Sequence, residues 1–271
     1  NWVDGGDLFG ESVGLEVNVI TDEADSQRQL SQVRALGAAG QVYALNVDPN
    51  TSSDTELLGD WWHEGFVYVQ PVLGSLAWYA LAWTTATDED IFAWAESNAK
   101  DLFNGYIAFH AYALRPDSHY VYFGDTATPK QSVELFSRYL IDIFTTGTGS
   151  PIGQALSLEI EKRSQPGYDY AGVNGWIPPL VYDAAKDASA EPLSTLPTAR
   201  WLSKGAQDVA ILRSDWSDDA THVFLTCGDY FGAHQHYESG AFQIFHRAQL
   251  TGSTGCYDNF DTIDNQYCGL I

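Results

Sequence analysis

The chain has 271 residues, 45% of them hydrophobic, which is enough apolar material for one large domain or two ordinary ones. Its formal net charge of −23 argues against nucleic acid and anionic membrane surfaces as partners, because both bind proteins through a basic surface. The sequence has no apolar run of about 18 residues, so it predicts no transmembrane helix. We therefore expect a globular protein with neither a nucleic-acid nor a membrane partner.

From about residue 22 to residue 147 the apolar residues recur at three- and four-residue spacing, which predicts helices. Helices separated by loops with Gly, Pro and Asp predict an array of antiparallel helical pairs. A later stretch at 165–179 is rich in Gly, Pro, Tyr and Trp and predicts a long surface loop. The segments with the clearest helical period are 29–39, 67–85, 91–103 and 133–144.

The pattern changes after Pro192, where two prolines within residues 192–198 mark a linker. Beyond it, short runs of β-branched and aromatic residues are separated by Gly, Asp and Ser, which predicts an antiparallel sheet. The sequence therefore predicts an α+β multidomain fold, with a helical domain at 1–192 and the beginning of an antiparallel β domain at 193–271. The predicted strands are 208–214, 222–227 and 241–247.

The densest group of polar residues precedes the last of these strands, in the sequence Gly-Ala-His-Gln-His-Tyr-Glu-Ser-Gly at 232–240. His234 and His236 are two residues apart, so on an extended segment both side chains point to one side. The flanking glycines let other groups approach the backbone closely. This pattern indicates a pair of catalytic or metal-binding histidines; the alternative is a polar turn whose histidines only satisfy local hydrogen bonds.

Two further motifs accompany this cluster, which continues into Phe-Gln-Ile at 242–244. One runs from Pro-Thr-Ala-Arg-Trp at 197–201 through Ile-Leu-Arg-Ser-Asp-Trp at 211–216, and the other is Tyr-Ala-Leu-Arg-Pro-Asp at 112–117. Together the three motifs resemble those of the heparinase II/III-like polysaccharide lyases. The resemblance extends over residues 197–258 and about 60–125.

The resemblance implies an (α/α) helical toroid as the catalytic domain, followed by an antiparallel β-sandwich. It also implies a secreted or periplasmic enzyme that cleaves a uronate-containing acidic polysaccharide by β-elimination and leaves an unsaturated uronyl end. Removing the C5 proton of the uronate needs a base, an acid and groups that neutralise the neighbouring carboxylate. Tyrosine and histidine suit the first two roles once positive charge lowers the tyrosine pKa from about 10.

By this resemblance Tyr112 acts as base or acid, and Arg115 beside it lowers the pKa of the tyrosine or neutralises the carboxylate. His234 is the partner that reaches across from the β domain, and His63 donates to the carboxylate. Two later tyrosines are alternatives that spacing does not separate from the first: Tyr120 and Tyr122. The predicted substrate-binding residues are Trp61, Trp62, Glu64, Tyr68 and Gln235.

In the family that the chain resembles, the second histidine of the pair belongs to a structural zinc site. His236 is therefore the predicted metal ligand, and no metal is expected to be required for catalysis. The chain departs from the family's pattern, because Ser253 stands where an Asp ligand is expected. Asp258 or Asp261 would have to replace that ligand.

The β domain is shorter than the roughly 100 residues of an ordinary sandwich, so we expect a second chain or a C-terminal fragment to complete it. Three other functions compete with the lyase. A glycoside hydrolase on a helical toroid would use two carboxylates, such as Glu64 with Asp60 or Glu11. A non-catalytic carbohydrate-binding protein would use the aromatic residues alone. A metal-dependent hydrolase would be built on His234 and His236, for which the sequence offers no third ligand.

Overall fold

The protein has an α+β fold, seen in a computed structural model in which helices and an antiparallel sheet share one core. The predicted helix at 29–39 and the predicted loop at 165–179 lie outside the described residues. The residues that the structure describes are 2–4, 16–18, 65–66, 77–78, 80–85, 89–93, 102–124, 138–163, 190–203, 207–228, 236 and 238–252.

A two-stranded antiparallel sheet lies near the start of the chain. It is formed by β1 (Trp2–Asp4) and β2 (Glu16–Asn18), with Trp2 opposite Asn18. No strand was predicted here, because three residues are too few to reveal a two-residue alternation.

Helices are present in the predicted regions that the structure describes. Helical residues at 77–78, 80–85 and 91–93 fall within the predictions at 67–85 and 91–103. Three longer helices follow: α1 (Leu102–Ala113), α2 (Arg138–Thr148) and α3 (Pro151–Arg163). α2 continues beyond the end predicted for it at Phe144, and neither α1 nor α3 was predicted as a separate helix.

A short turn joins α2 to α3. Gly149 has a left-handed φ of +68°, which glycine adopts without steric cost, and its N–H donates to Thr145 O at 2.8 Å. α3 then begins with Pro151 in its first turn, and Ser150 Oγ accepts a hydrogen bond from the N–H of Gly153 at 3.2 Å. The two helices therefore lie side by side as an antiparallel pair.

α1 packs against both α2 and α3, and its residues 103–113 are buried except for the half-buried Asn104. The Phe103 ring contacts Phe92 and Phe144, with centroids 5.0 and 4.8 Å apart. A helix that is apolar on every side has no polar face to mark its period, so periodicity did not separate α1 from its neighbours.

The chain reverses direction after α1. Leu114 and Tyr120 form an isolated antiparallel bridge, and Ser118 occupies a left-handed φ of +65° in the turn between them. The returning residues 120–124 are buried, and Phe123 contacts Phe224 of the sheet with ring centroids 5.5 Å apart. We call residues 120–124 the seam segment, because they lie between the helices and the sheet.

The main sheet is an antiparallel meander in the order β3-β4-β5-β6-β7. Its strands are β3 (Ala199–Ser203), β4 (Gln207–Arg213), β5 (His222–Gly228), β6 (Phe242–His246) and β7 (Ala248–Thr251). β4, β5 and β6 confirm the three predicted strands. β7 was missed, because the tight turn before it is made by Arg247 at a φ of +59°, without the Gly or Asn that would mark a hairpin.

The sheet has two apolar faces. Alternate residues on one face are buried against the helices and the seam segment, among them Leu202, Val209, Ile211, Phe224 and Phe245. The opposite face carries large apolar side chains that are 44–65% exposed: Trp201, Leu212, Phe242 and Leu250. When one face of an antiparallel sheet is exposed to water, that face normally carries polar residues. The apolar outer face here therefore has the composition expected of a face that packs against another protein surface.

One hydrophobic core runs from α1 through the seam segment into the inner face of the sheet. The linker predicted at 192–198 contains a 3₁₀ turn (Leu193–Thr195) and is held in place, because Trp216 Nε1 donates to Leu196 O at 3.0 Å. Within the described ranges, no helix has the length and apolar composition required to cross a bilayer.

Candidate functional site

Tyr112, the predicted base or acid, lies in the last turn of α1 and is only 1% exposed. Its hydroxyl donates to Pro197 O at 2.9 Å, and its ring meets that of Trp216 edge-on at 5.3 Å. Burial raises the pKa of Tyr112 above its ordinary value, and the positive charges of Arg200 and Arg213 offset this only in part. Tyr112 therefore keeps its proton and ties α1 to the linker.

Arg115 uses its guanidinium to connect the turn after α1 with the sheet. Nε and Nη2 donate to the Asp117 carboxylate at 3.0 and 2.6 Å, and Nη1 donates to Gln249 Oε1 at 2.7 Å. The guanidinium carbon lies 4.9 Å from the centre of the Phe245 ring. The expectation that Arg115 lowers the pKa of Tyr112 is not met, because that pKa is raised. The guanidinium of Arg115 donates its hydrogen bonds to Asp117 and Gln249 instead.

Asp117 is held on both sides within the same turn. His119 Nδ1 lies 2.8 Å from Asp117 O and 3.3 Å from its Oδ2. Burial alone would raise the pKa of Asp117, but the hydrogen bonds from His119 and Arg115 outweigh burial and hold the pKa well below its usual range. Asp117 is therefore ionised, and it fixes the direction of the Arg115 side chain.

The carbonyl groups at the end of α1 accept hydrogen bonds from the sheet. Arg213 Nη1 donates to Leu114 O at 2.6 Å, and His222 Nε2 donates to Tyr112 O at 2.8 Å. A helix leaves its last carbonyls without partners of its own, so these two side chains supply the missing donors. Burial lowers the pKa of His222 to about 3, with the Arg213 charge acting in the same direction, and burial lowers the pKa of Arg213 to about 10.

His110 lies in the last turn of α1 among aromatic rings. Phe66, Phe109 and Tyr120 meet its imidazole edge-on, with centroids 5.6, 5.6 and 5.7 Å away. Nδ1 donates to Tyr106 O at 2.7 Å, whereas Nε2 has no hydrogen-bond partner in the part of the chain that the structure describes. Burial lowers the pKa of His110 to about 4, and the bond to Tyr106 opposes this only partly.

Side chains of the sheet bind the backbone of the seam segment. The Gln243 amide bonds to both backbone groups of Tyr122, since Oε1 accepts from the N–H at 3.4 Å and Nε2 donates to the carbonyl. Glu238 Oε2 accepts a hydrogen bond from the N–H of Gly124 at 3.3 Å. These contacts hold the seam segment against the inner face of the sheet.

Phe66, which ends the Trp-Trp-His-Glu-Gly-Phe stretch at 61–66 that contains the predicted His63, contacts the seam segment. Its ring stacks on Tyr120 with centroids 4.5 Å apart and meets Phe123 edge-on at 5.5 Å. The seam segment is therefore where three motif-bearing parts of the chain meet: the residues ending at Phe66, the turn after Tyr112, and the loop that contains His236 and Glu238.

Tyr112 and the histidine motif lie at opposite ends of the sheet. His222, the first residue of β5, holds Tyr112 O, whereas Thr226 of the same strand donates from Oγ1 to Glu238 O at 2.6 Å. Four strand positions separate these contacts, which is about 13 Å at ~3.3 Å per residue. The structure therefore does not bring Tyr112 towards His236.

Of the alternative tyrosines, Tyr122 lies at the histidine-motif end. Its hydroxyl packs against Gly252, where an added Cβ would lie 2.8 Å from the hydroxyl oxygen and 2.6 Å from Gln249 Nε2. Tyr120 is buried under Phe66 in the aromatic core. The sequence left these tyrosines equivalent to Tyr112, and the register of the sheet separates them.

His236, the predicted metal ligand, is 2% exposed, and its Nδ1 lies 3.4 Å from Glu238 Oε1. Among the residues that the structure describes, no group of three or more His, Cys, Asp or Glu side chains is arranged to hold a metal ion. A zinc site takes three or four protein ligands, so this pair is too small to form one. Three residues considered for the same site lie outside the described ranges: Ser253, Asp258 and Asp261.

Most of the predicted catalytic and sugar-binding residues lie outside the described residues. They are Trp61, Trp62, His63, Glu64, Tyr68, His234 and Gln235, and their roles stay predictions. The carboxylates weighed for a hydrolase, Glu11 and Asp60, lie outside them as well.

Four polar side chains that connect the helices to the sheet were not predicted from the sequence: Arg213, His222, Glu238 and Gln243. A signal for two of them was present. Gln243 stands at an inward position of an alternating strand, where a polar residue indicates a buried hydrogen bond. Glu238 follows His236 by two residues, which on an extended segment places both on one side.

A scan against models of protein families finds no match for this chain, and neither does a search of curated proteins. The resemblance to the heparinase II/III-like lyases therefore depends on the motifs in the sequence.

Proposed function

We propose that this chain is a polysaccharide lyase that cleaves a uronate-containing acidic polysaccharide by β-elimination. The observation that carries the proposal is the meeting of the three motif-bearing parts at the seam segment. Phe66 stacks on Tyr120, and Glu238 accepts a hydrogen bond from the Gly124 N–H. These parts of the chain are far apart in sequence, and they resemble the motifs of one active site. All of them contact the seam segment at 120–124.

His63 and His234, the histidines of the proposed site, are each a few residues from a residue at or near the seam segment. His63 precedes Phe66 by three residues, and His234 precedes the buried His236 by two. Chain connectivity alone keeps His63 within about 11 Å of the Phe66 Cα, and His234 within about 7 Å of the His236 Cα. In the proposal His63 neutralises the substrate carboxylate, and His234 takes part in proton transfer.

The tyrosine of the acid–base pair belongs at the same end of the sheet. Tyr122 is there, and Tyr68 follows Phe66 by two residues. Tyr112 is less suitable, because its hydroxyl is already bonded to Pro197 O and burial raises its pKa. We therefore assign the proton-transfer role to Tyr122 or Tyr68 and an anchoring role to Tyr112.

The reaction requires four changes at the uronate ring. The base removes the C5 proton, the C5–H electron pair forms the C4=C5 double bond, the C4–O bond breaks, and the acid protonates the departing oxygen. Neutralising the carboxylate stabilises the negative charge that develops beside C5. Trp61, Trp62, Glu64 and Gln235 would bind the sugar rings and orient His63. Arg115 would keep the turn after α1 in place through Asp117 and Gln249.

The finer architecture belongs to the same proposal. The helices would form part of an (α/α) toroid, and the main sheet would be one layer of a β-sandwich. The apolar outer face of the sheet supports this, because a second β layer supplied by another chain or by a C-terminal fragment would cover it. Because the substrate is an extracellular polymer, the enzyme would be secreted or periplasmic.

The test is ultraviolet absorbance during incubation with alginate, ulvan, heparan sulfate, chondroitin and neutral glucans. A rise on one uronate polymer is expected, because the new double bond is conjugated with the carboxylate. Reducing ends without absorbance would mean a glycoside hydrolase, and binding without cleavage would mean a carbohydrate-binding protein.

Variants assign the roles within that assay. His234→Ala should lower turnover by about 10²-fold or more, as loss of an acid–base group does, whereas His246→Ala on β6 is the matched control. One of Tyr122→Phe and Tyr68→Phe should cause a similar loss with the fold intact. Tyr112→Phe causing the larger loss would contradict the assignment from geometry and favour the role suggested by its motif.

A further inference from the structure

We infer that Glu238 is a positioning residue that fastens the histidine-motif loop to the seam segment, through Gly124 on one side and His236 on the other. The inference deepens the proposed function and rests on it for the kinetic part alone. Glu238 took no part in the sequence-based site, and in the proposal it contacts neither substrate nor the reacting atoms.

Glu238 contacts both the seam segment, at Gly124, and its own loop, at His236. Carboxylate oxygen Oε2 accepts from the Gly124 N–H at 3.3 Å, and Oε1 lies 3.4 Å from His236 Nδ1. The Glu238 N–H donates to His236 O at 2.8 Å, so the two residues are also connected through the backbone. Glu238 is 5% exposed, and water therefore offers little alternative solvation for its carboxylate.

The loop on which Glu238 lies is itself held firmly to β5. Thr226 Oγ1 donates to Glu238 O at 2.6 Å, and Thr226 O accepts from the Gly240 N–H at 2.8 Å. Gly240 has a φ of +88°, and the Ala241 N–H returns to Glu238 O at 2.7 Å, which closes a four-residue turn. A carboxylate held by this turn has little freedom to move, so its bond to Gly124 fixes the distance between sheet and seam segment.

A carboxylate suits this position for a physical reason. A buried carboxylate is stable only when paired and hydrogen-bonded, and hydrogen bonds to a charged acceptor are stronger than neutral ones. Losing the carboxylate would leave the Gly124 N–H without this acceptor and free the His236 side chain from one of its contacts. Because His234 is two residues before His236, movement of this loop would displace the proposed proton-transfer group from its productive position.

The test compares wild type, Glu238→Gln, Glu238→Ala and the matched control Glu191→Ala, in which an exposed glutamate is removed. Hydrogen exchange should show the Gly124 amide exchanging at least about 10-fold faster in Glu238→Ala, an intermediate rate in Glu238→Gln, and no change in Glu191→Ala. On the polymer that the enzyme cleaves, Glu238→Ala should lower kcat about 10-fold or more with KM changed by less than about 2-fold, and Glu238→Gln should restore part of kcat.

Two results would overturn the inference. One is an unchanged Gly124 exchange rate in Glu238→Ala. The other is one bound zinc ion per chain by elemental analysis, together with a melting temperature that a chelator lowers, because His236 and Glu238 would then act as metal ligands. The zinc analysis and the chelator experiment need only the wild-type chain, so a variant that fails to fold does not prevent that part of the test. Faster Gly124 exchange in a protein without elimination activity would support the fastening and refute the proposed function.

Discussion

Acidification should destabilise this fold through two buried histidines. Burial lowers the pKa of His222 to about 3 and that of His110 to about 4, from an ordinary value of 6.5. Above pH 6.5 both are neutral in the folded and the unfolded chain. As the pH falls, the unfolded chain binds the proton first, and stability is lost until the pH reaches the folded-state pKa. Between pH 7 and pH 5 the loss is about 2 kcal/mol for each histidine.

Urea unfolding at the two pH values, followed by tryptophan fluorescence, measures this loss directly. His110→Phe and His222→Gln each remove one titrating group and should reduce the loss by slightly under ~2 kcal/mol. Each variant is compared with itself at two pH values, so a lower stability at pH 7 does not disturb the result. If His222→Gln loses as much stability as the wild type between pH 7 and pH 5, the reasoning for that histidine is refuted.

Two further substitutions test the packing between the elements. Arg213→Met should cost about 2–3 kcal/mol, because the buried Leu114 carbonyl loses its donor, whereas Arg247→Met breaks only an exposed ion pair and should cost less than about 1 kcal/mol. Equal shifts in melting temperature for the two variants would contradict this. Gly153→Ala should destabilise by about 1–3 kcal/mol despite the higher helix propensity of alanine, because its Cβ would lie 2.2 Å from Thr145 Oγ1. Calorimetry should show recovery when Thr145→Ala is added, and a higher melting temperature for Gly153→Ala alone would rule out the close contact.

The sequence was informative where a local pattern reports directly on structure. Short runs of β-branched and aromatic residues between Gly, Asp and Ser mark β4, β5 and β6, so these strands were predicted within a few residues. The same reasoning failed for α1, which is buried on all sides and lacks a polar face. It failed for α3 for a different reason: Ser150 and Pro151 form a recognisable helix start that was not used.

The site was harder to predict, because its contacts join residues that are far apart in sequence. Arg115 bonds to Gln249, and Gln243 bonds to Tyr122, with more than a hundred residues between the partners in each case. Periodicity reports only on near neighbours. Tyr112 is an example. Its motif suggested a partner in the loop that contains the two histidines, but the pairing of the strands places Tyr112 at the other end of the sheet.

The continuous core has a consequence for how the protein folds. Phe123 contacts Phe109 of α1 and Phe224 of β5, so within the described ranges the helices and the sheet share one buried interior. Elements that share buried surface in this way unfold in one cooperative transition, and contacts between distant parts of the chain slow folding. Separating the chain at the linker would therefore give two fragments that fold poorly alone, although the sequence divides there into a helical part and a β part.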